Sequence, residues 1–520
     1  MTYERPLMGD ILERNALLYR DRPAVVCEGQ TISFGQLLER ARLLASACWQ
    51  VGVRRGDRVA LLAMNRAEYV DFYSACELTG YIAVPVNFRL AAAEVRWILN
   101  DVEPVVLLFE AQYAELLGAI RGELPAELRY VCLDQEDCPE WAEPYADFLA
   151  KGSADPLPVR ARADDPLCIV YTSGTTGRPK GVVRSNEADA RQAFSNSFAL
   201  GIRPDDRFLV MMPMFHVGAR GQQIAAHWNG AAFVLQRGFD PGAVLAAIES
   251  ERITVTHMAP TLLHDVFEHP DIDRRDLSTL KTVFYAAAPM PIDLLRRGLA
   301  RLGKVFVNGY GSTEIFGITL HKHDHVLDGP PELVARLKSV GQPALDTEAR
   351  IVDEHDNPVP PGTIGEIVMR GGACMTGYWN NDSETARALR GGWYHTGDMA
   401  YADENNFIFL VDRKKDMIIS GGENVYSREV ENAISEHPAV SEVAVIGVPD
   451  PRWGESVRAL VILREGQSAS EADIIAHCKG LIARYKAPKS VLFVTALDRL
   501  ASGKIDKIAL RRRYGAPVPD

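Results

Sequence analysis

The sequence predicts an α/β chain: a large N-terminal domain of α/β sheets, a β-rich subdomain over about 340–412, and a small α+β domain at the C-terminal end. Three observations carry this. The 520 residues exceed what one hydrophobic core organises. From Thr31 to Asn87, helix-like patterns (FGQLLERARLLASACWQVG, EYVDFYSACELTG) alternate with short apolar runs (RVALLAM, IAVPV), the signature of βαβ units and a parallel sheet. From Val340 the texture turns to strands punctuated by Gly, Pro and Asp (ARIVDEHDNPVPPGTIGEIVMRGG).

The alternation returns at Val105–Phe109, Leu167–Tyr171, Phe208–Met212, Ala232–Leu235, Val255–Met258 and Thr282–Tyr285, each run followed by a helix-length segment or a Gly/Pro turn. Near the end, VENAISEHPAVSEVAVIGVPD and VRALVILREG read as helix, strand, turn, strand. No repeat of 20 to 50 residues and no low-complexity tract interrupts the chain.

Lys plus Arg number 57 against 69 Asp plus Glu, a net charge of −12 that offers no broad attraction to nucleic acid or anionic lipid. The eight cysteines show neither a C-x-x-C pair nor zinc spacing, so they read as buried thiols of a reducing compartment. Acidic residues in MTYERPLMGDILERN break the apolar core a signal peptide needs, and no apolar run approaches the roughly 18 residues of a membrane span. A soluble cytoplasmic protein without an integral membrane segment is the expectation.

Four segments carry chemistry. YTSGTTGRPKG, Tyr171 to Gly181, follows a strand-like run and combines glycines, hydroxyls and Lys180, which suits a polyphosphate. No Ser or Thr follows the lysine, so this is not the P-loop of nucleotide triphosphatases. VNGYGSTE, Val307 to Glu314, sets Tyr310 between glycines, with a face to stack on a purine, and ends on a carboxylate suited to magnesium. The third segment joins WYHTGDMAYADENNF with LVDRKKDMIISGGENVYSREVE, and LASGKIDKIALR is the fourth.

In this order and at these separations the four blocks resemble the adenylate-forming superfamily of acyl-CoA synthetases, luciferases and nonribosomal adenylation domains, over about Asp10 to Arg512. The resemblance implies a large AMP-binding domain over 1–412 and a small mobile domain over 413–520, with a hinge near Lys415. Thr172, Ser173, Gly174, Thr175, Thr176, Gly177 and Lys180 would cradle the β- and γ-phosphates. Tyr310 would stack on adenine, with Asn308, Gly311, Ala287 and Ala288 also at the nucleotide. Thr313 would touch the α-phosphate and Glu314 would hold magnesium. Asp398 would accept the ribose hydroxyls, assisted by Arg413, and Lys504 would be the adenylation lysine. Gly421, Gly422 and Glu423 would line the channel for CoA. His216, in PMFHVGAR, would lie beside the substrate carboxylate and join Lys504 and Glu314 as catalytic.

The implied activity is ATP- and magnesium-dependent: a carboxylate joins AMP, pyrophosphate leaves, and CoA then displaces AMP. Val217 occupies a region where amino-acid-activating relatives carry an aspartate, and Gly311 one where acetate-specific relatives carry a tryptophan. A medium- or long-chain fatty acid or an aryl-substituted acid is therefore expected. Two alternatives stay open: an adenylating enzyme that loads a carrier protein, and a non-catalytic nucleotide-binding protein. A homodimer also stays open. Ala286 and Ala287 replace the usual glycine pair, and the alternate histidines 321, 323 and 325 read as a solvent-facing connector.

Overall fold

The apolar runs pair as strands. The computed structural model describes residues 6–172, 179–288, 290–413, 416–420, 423–450, 453–500 and 503–516. Among these, one sheet runs in the order Gln342–Pro343, Phe316–Leu320, Phe306–Gly311, Thr282–Tyr285, Val255–His257, Arg207–Val210, Ala232–Leu235, Pro23–Cys27 and Gln30–Ser33. Its inner pairs are parallel and its margins antiparallel. A second sheet orders Gly377–Tyr378, Lys180–Ser185, Pro166–Thr172, Ile82–Val86, Arg58–Leu62, Val106–Phe109, Arg129–Cys132 and Glu143–Pro144.

Local chemistry sets the helix limits. Ser33 caps the helix Phe34–Gln50 in a capping box with Gln36, and Gly80 closes Ala67–Thr79 at φ 77°, a left-handed position that costs a glycine little. These helices bury Phe34, Leu37, Tyr69, Phe72 and Tyr73 in a core shared with Val59, Leu61, Phe208 and Phe233. The burial removes apolar surface from water at about 25 cal/mol per Å².

By its contacts the chain divides into two units, one of Met1–Ala349 with Met369–Tyr394, the other of Arg350–Val368 with His395–Asp520. This division groups part of the β-rich stretch with the C-terminal end. The second unit draws on a sheet ordered Thr347–Val352, Gly365–Gly371, Tyr394–Ala402 and Ile408–Arg413. It also holds the long hairpin of Val440–Asp450 and Gly454–Leu463, packed on the helix Ser427–Ser435. No helix among the described residues is long and apolar enough to cross a membrane.

The cysteines are free thiols, six buried and two, Cys138 and Cys374, half-buried. The histidine connector departs from expectation. His321 stacks on His323, but His325 is buried, its Nε2 3.0 Å from the Tyr285 hydroxyl and its Nδ1 2.9 Å from the His321 carbonyl. The alternation placed one ring of three against the core, where Tyr285 and Phe306 pack on it.

His227 is likewise buried, with Nε2 3.2 Å from the Ala24 carbonyl, and burial pushes its pKa down from 6.5 to about 4. The unfolded chain therefore takes up this proton first, and stability falls as pH drops from about 6.5 toward 4. Denaturant unfolding of wild type and His227→Gln tests this: between pH 7 and 5 the wild type should lose ~2 kcal/mol more than the variant. Parallel curves would contradict it.

Candidate active site

The parallel strands of the first sheet deliver several expected residues to one edge, the carboxyl end where open α/β sheets bind ligands. Arg207–Val210 leads through Pro213 to His216; Thr282–Tyr285 leads to Ala287 and Ala288; Phe306–Gly311 carries Asn308, Tyr310 and Gly311. Asn308 is buried, Tyr310 half-buried, and Gly311 and Ala288 exposed. Backbones approach closely here. A Cβ on Gly309 would lie 2.4 Å from the Phe284 ring and 2.5 Å from that of Phe316, so nothing larger than glycine fits. Ala287 sits at φ 72°, where an alanine pays about 1 kcal/mol that glycine would not. The replaced glycine pair thus leaves a trace of strain at the cleft.

His216 caps the helix Val217–Asn229 with extended backbone (φ −96°, ψ 142°), and its ring centroid lies 4.3 Å from that of Phe215.

Past the Phe306–Gly311 strand the chain bends. Ser312 donates its N–H to the Ile315 carbonyl, and the Ser312 hydroxyl accepts from the Glu314 N–H at 3.3 Å. The Glu314 carbonyl accepts from Met375, and its Oε1 accepts from the Tyr378 hydroxyl at 2.9 Å. Burial, then the Glu314 charge, pushes the Tyr378 phenol far up, so it remains a donor. No hydrogen bond from a described residue reaches Glu314 Oε2. Among the described residues no cluster of three or more metal-ligating side chains exists. One carboxylate with an oxygen to spare is the donor set magnesium accepts when phosphates and waters complete its shell, so the residues fit that ion.

Behind this bend lies a buried charge network. Arg184, 2% exposed, donates to Asp189 at 2.9 Å and Gln192 at 2.6 Å, and to the carbonyls of Thr313 at 3.4 Å and Ala373 at 3.2 Å. Arg220 pairs with Glu77, lies 3.3 Å from Asp189 and sits 4.3 Å over the Tyr73 ring. Two guanidinium groups thus face two carboxylates, and the charges balance. Arg184 ties this network to the peptide on the amino side of Glu314.

Thr172 and Lys180 stand opposite each other at the open end of an antiparallel pair, as posts of the glycine-rich loop. Ser173, Gly174, Thr175, Thr176 and Gly177 lie outside the described residues. The Lys180 ammonium is ion-paired with Glu384 and lies 5.2 Å from the Tyr378 ring centroid. Hydrogen bonds from Arg387 and then Lys180 outweigh burial and hold the Glu384 carboxyl down at about 2. A phosphate at this loop therefore competes with Glu384 for the ammonium.

In the second unit, Asp398 and Arg413 face each other in the register of Tyr394–Ala402 against Ile408–Arg413. Thr396 steadies the Asp398 N–H at 3.0 Å. Lys504 is exposed, its carbonyl accepts the Leu500 N–H, and Gly503 before it sits at φ 83°. Glu423 opens the strand Glu423–Val425. Lys415, Gly421 and Gly422 lie outside the described residues.

Sequence reasoning missed Tyr378, Arg184 and Glu384. Arg184 did leave a signal, an arginine directly after the apolar Val182 and Val183. The Glu314 partner of Tyr378 and the Lys180 partner of Glu384 lie 64 and 204 residues away, so no local pattern announces them.

Comparison with known proteins adds the family. The AMP-binding enzyme profile matches residues 12–379, and that of the AMP-binding enzyme C-terminal domain matches 429–504. A feruloyl-CoA synthase of Amycolatopsis sp is 38% identical over 504 residues, covering 96% of this chain and 98% of that protein. An indoleacetate–CoA ligase of Aromatoleum aromaticum is 36% identical, at 97% and 98% coverage. A long-chain-fatty-acid–CoA ligase of Mycobacterium tuberculosis is 36% identical, covering 94% of each. The crystal structure of an anthranilate CoA ligase with anthranoyl-AMP superposes with a TM-score of 0.87 at 29% identity, covering 98% of this chain and 97% of that one. The chain belongs to the AMP-binding enzymes and is an AMP-forming acid–thiol ligase that uses ATP, magnesium and CoA.

Proposed function

We propose that this ligase activates an aryl-substituted carboxylic acid, forms its acyl-adenylate and passes the acyl group to CoA. The observation that carries the reading is the Glu314 carboxylate, held by Tyr378 beside the strand end that presents Tyr310. Relatives named for feruloyl and indoleacetyl substrates support a ring-sized acyl group, whereas a Cβ on Gly311 would lie 2.6 Å from the Ile315 carbonyl oxygen and Phe316 Cα, so the space beside that glycine is filled by the chain itself. A medium- or long-chain fatty acid is the second reading, favoured by the relative named for long-chain fatty acids.

A carboxylate resists attack by a thiol because its leaving oxygen is too basic; joining it to AMP supplies a better leaving group. Negative charge grows around the α-phosphorus in that step. Lys504 neutralises it, Thr313 hydrogen-bonds the phosphate, and Glu314 holds the magnesium, which supplies Lewis-acid stabilisation when bound. Thr172 to Gly177 and Lys180 hold the departing pyrophosphate. Tyr310, Asn308, Gly311, Ala287 and Ala288 hold adenine, Asp398 and Arg413 the ribose, and His216 orients the acid. For the thiol step we assign Gly421, Gly422 and Glu423 to the pantetheine channel. We place the boundary between a large domain and a mobile small one at 412/413, with the hinge at Lys415.

Pyrophosphate release across a panel of aryl, fatty and amino acids, with and without CoA, checks the reading. Turnover of aryl acids that rises with CoA is expected; activity confined to amino acids, or indifferent to CoA, would defeat it. Lys504→Ala should slow adenylation by about 10²- to 10³-fold while thioester formation from supplied acyl-AMP stays near wild type. Equal loss in both half-reactions would refute that assignment. Arg184→Met should cost about 3 kcal/mol of stability, because it leaves Asp189 with one arginine fewer, and should also lower adenylation. Full activity in a folded Arg184→Met protein would show that Glu314 does not need this support.

A further inference from the structure

His257 ends the strand Val255–His257 and is 2% exposed, and neither Nδ1 nor Nε2 finds a hydrogen-bond partner among the described residues. The contrast with His227 and His325 is informative, because those buried rings both have nitrogens engaged by the protein. A buried polar group left without a partner is destabilising, and a ligand that supplies the partner removes that cost.

The neighbours of the ring place it in the fold. Its centroid lies 4.8 Å from that of Phe284, the ring against which Gly309 packs, one residue before Tyr310. On another side is Gly218, in the helix capped by His216; a Cβ built there would lie 3.5 Å from His257 Cε1, the one described atom within 4 Å outside that helix's own neighbourhood. The imidazole is therefore set between the segment assigned to the acid and the strand end assigned to the nucleotide. One turn further along the helix face of Gly218, Gln222 is also buried with its Oε1 unpartnered. Burial lowers the His257 pKa to about 4, so near neutrality the ring offers one acceptor and one donor. An alkyl chain or a bare phenyl ring leaves both unanswered.

Building on the ligase reading above, we infer that His257 is a specificity-determining residue of the acyl site, selecting acids whose ring carries a hydroxyl or N–H that hydrogen-bonds to the imidazole. Steady-state kinetics of pyrophosphate release with 4-hydroxycinnamate, cinnamate and dodecanoate test this in wild type, His257→Leu and His257→Gln. The wild type should prefer the hydroxylated acid over cinnamate by about tenfold in kcat/KM. His257→Leu should erase that preference through KM of the hydroxylated acid alone, leaving cinnamate and dodecanoate within about twofold, and His257→Gln should restore part of it. Absence of any preference in the wild type overturns the inference without recourse to a variant, as does an equal loss on all three acids in a folded His257→Leu protein. If no acid releases pyrophosphate, the proposed acid class itself fails; turnover of all three without discrimination removes only the role of His257.

Discussion

Two arginines and two carboxylates share an interior in which each side chain is 3% exposed or less, and the bend that carries Glu314 rests on one of them. A guanidinium cannot give up its proton at that depth, so most of its donors need acceptors. Arg184 meets this demand with Asp189, Gln192 and two main-chain carbonyls, one of them the peptide before Glu314. The electrostatic requirement of the core thereby becomes a positional constraint on the site: moving the bend takes an acceptor away from a buried guanidinium. Tyr378 completes the fixation from the other side by donating to the carboxylate itself.

The same economy explains why two kinds of residue gather at the sheet's carboxyl edge. Glycine at 309 lets the Phe284 and Phe316 rings close against the strand that carries Asn308 and Tyr310. Lys180 is held by Glu384 rather than left in solvent, which keeps the ammonium at the loop's base. An ion pair of this kind is exchangeable: a phosphate offers a stronger partner than a half-buried carboxylate.

Much of this was legible beforehand because it is local. Apolar runs such as Ile82–Val86 and Thr282–Tyr285 became strands with those limits, since a buried parallel strand needs only a short continuous apolar segment. The VNGYGSTE segment singled out Tyr310 and Glu314, and the resemblance added Asp398 and Lys504 and gave all four their roles. What stayed hidden depends on distant pairing. Tyr378 acquires meaning only when it reaches Glu314, and Arg184 only when the helices bearing Asp189, Gln192 and Arg220 meet around it. His325 misled for the same reason: alternation in a polar stretch says nothing about which ring finds Tyr285.

The most direct test of the central claim is a crystal structure grown with ATP and magnesium. The account predicts a magnesium ion about 2.1 Å from a Glu314 carboxylate oxygen, with the adenine ring on Tyr310 and the Tyr378 hydroxyl still bonded to Glu314. Nucleotide bound elsewhere, with Glu314 touching only Tyr378, would contradict it.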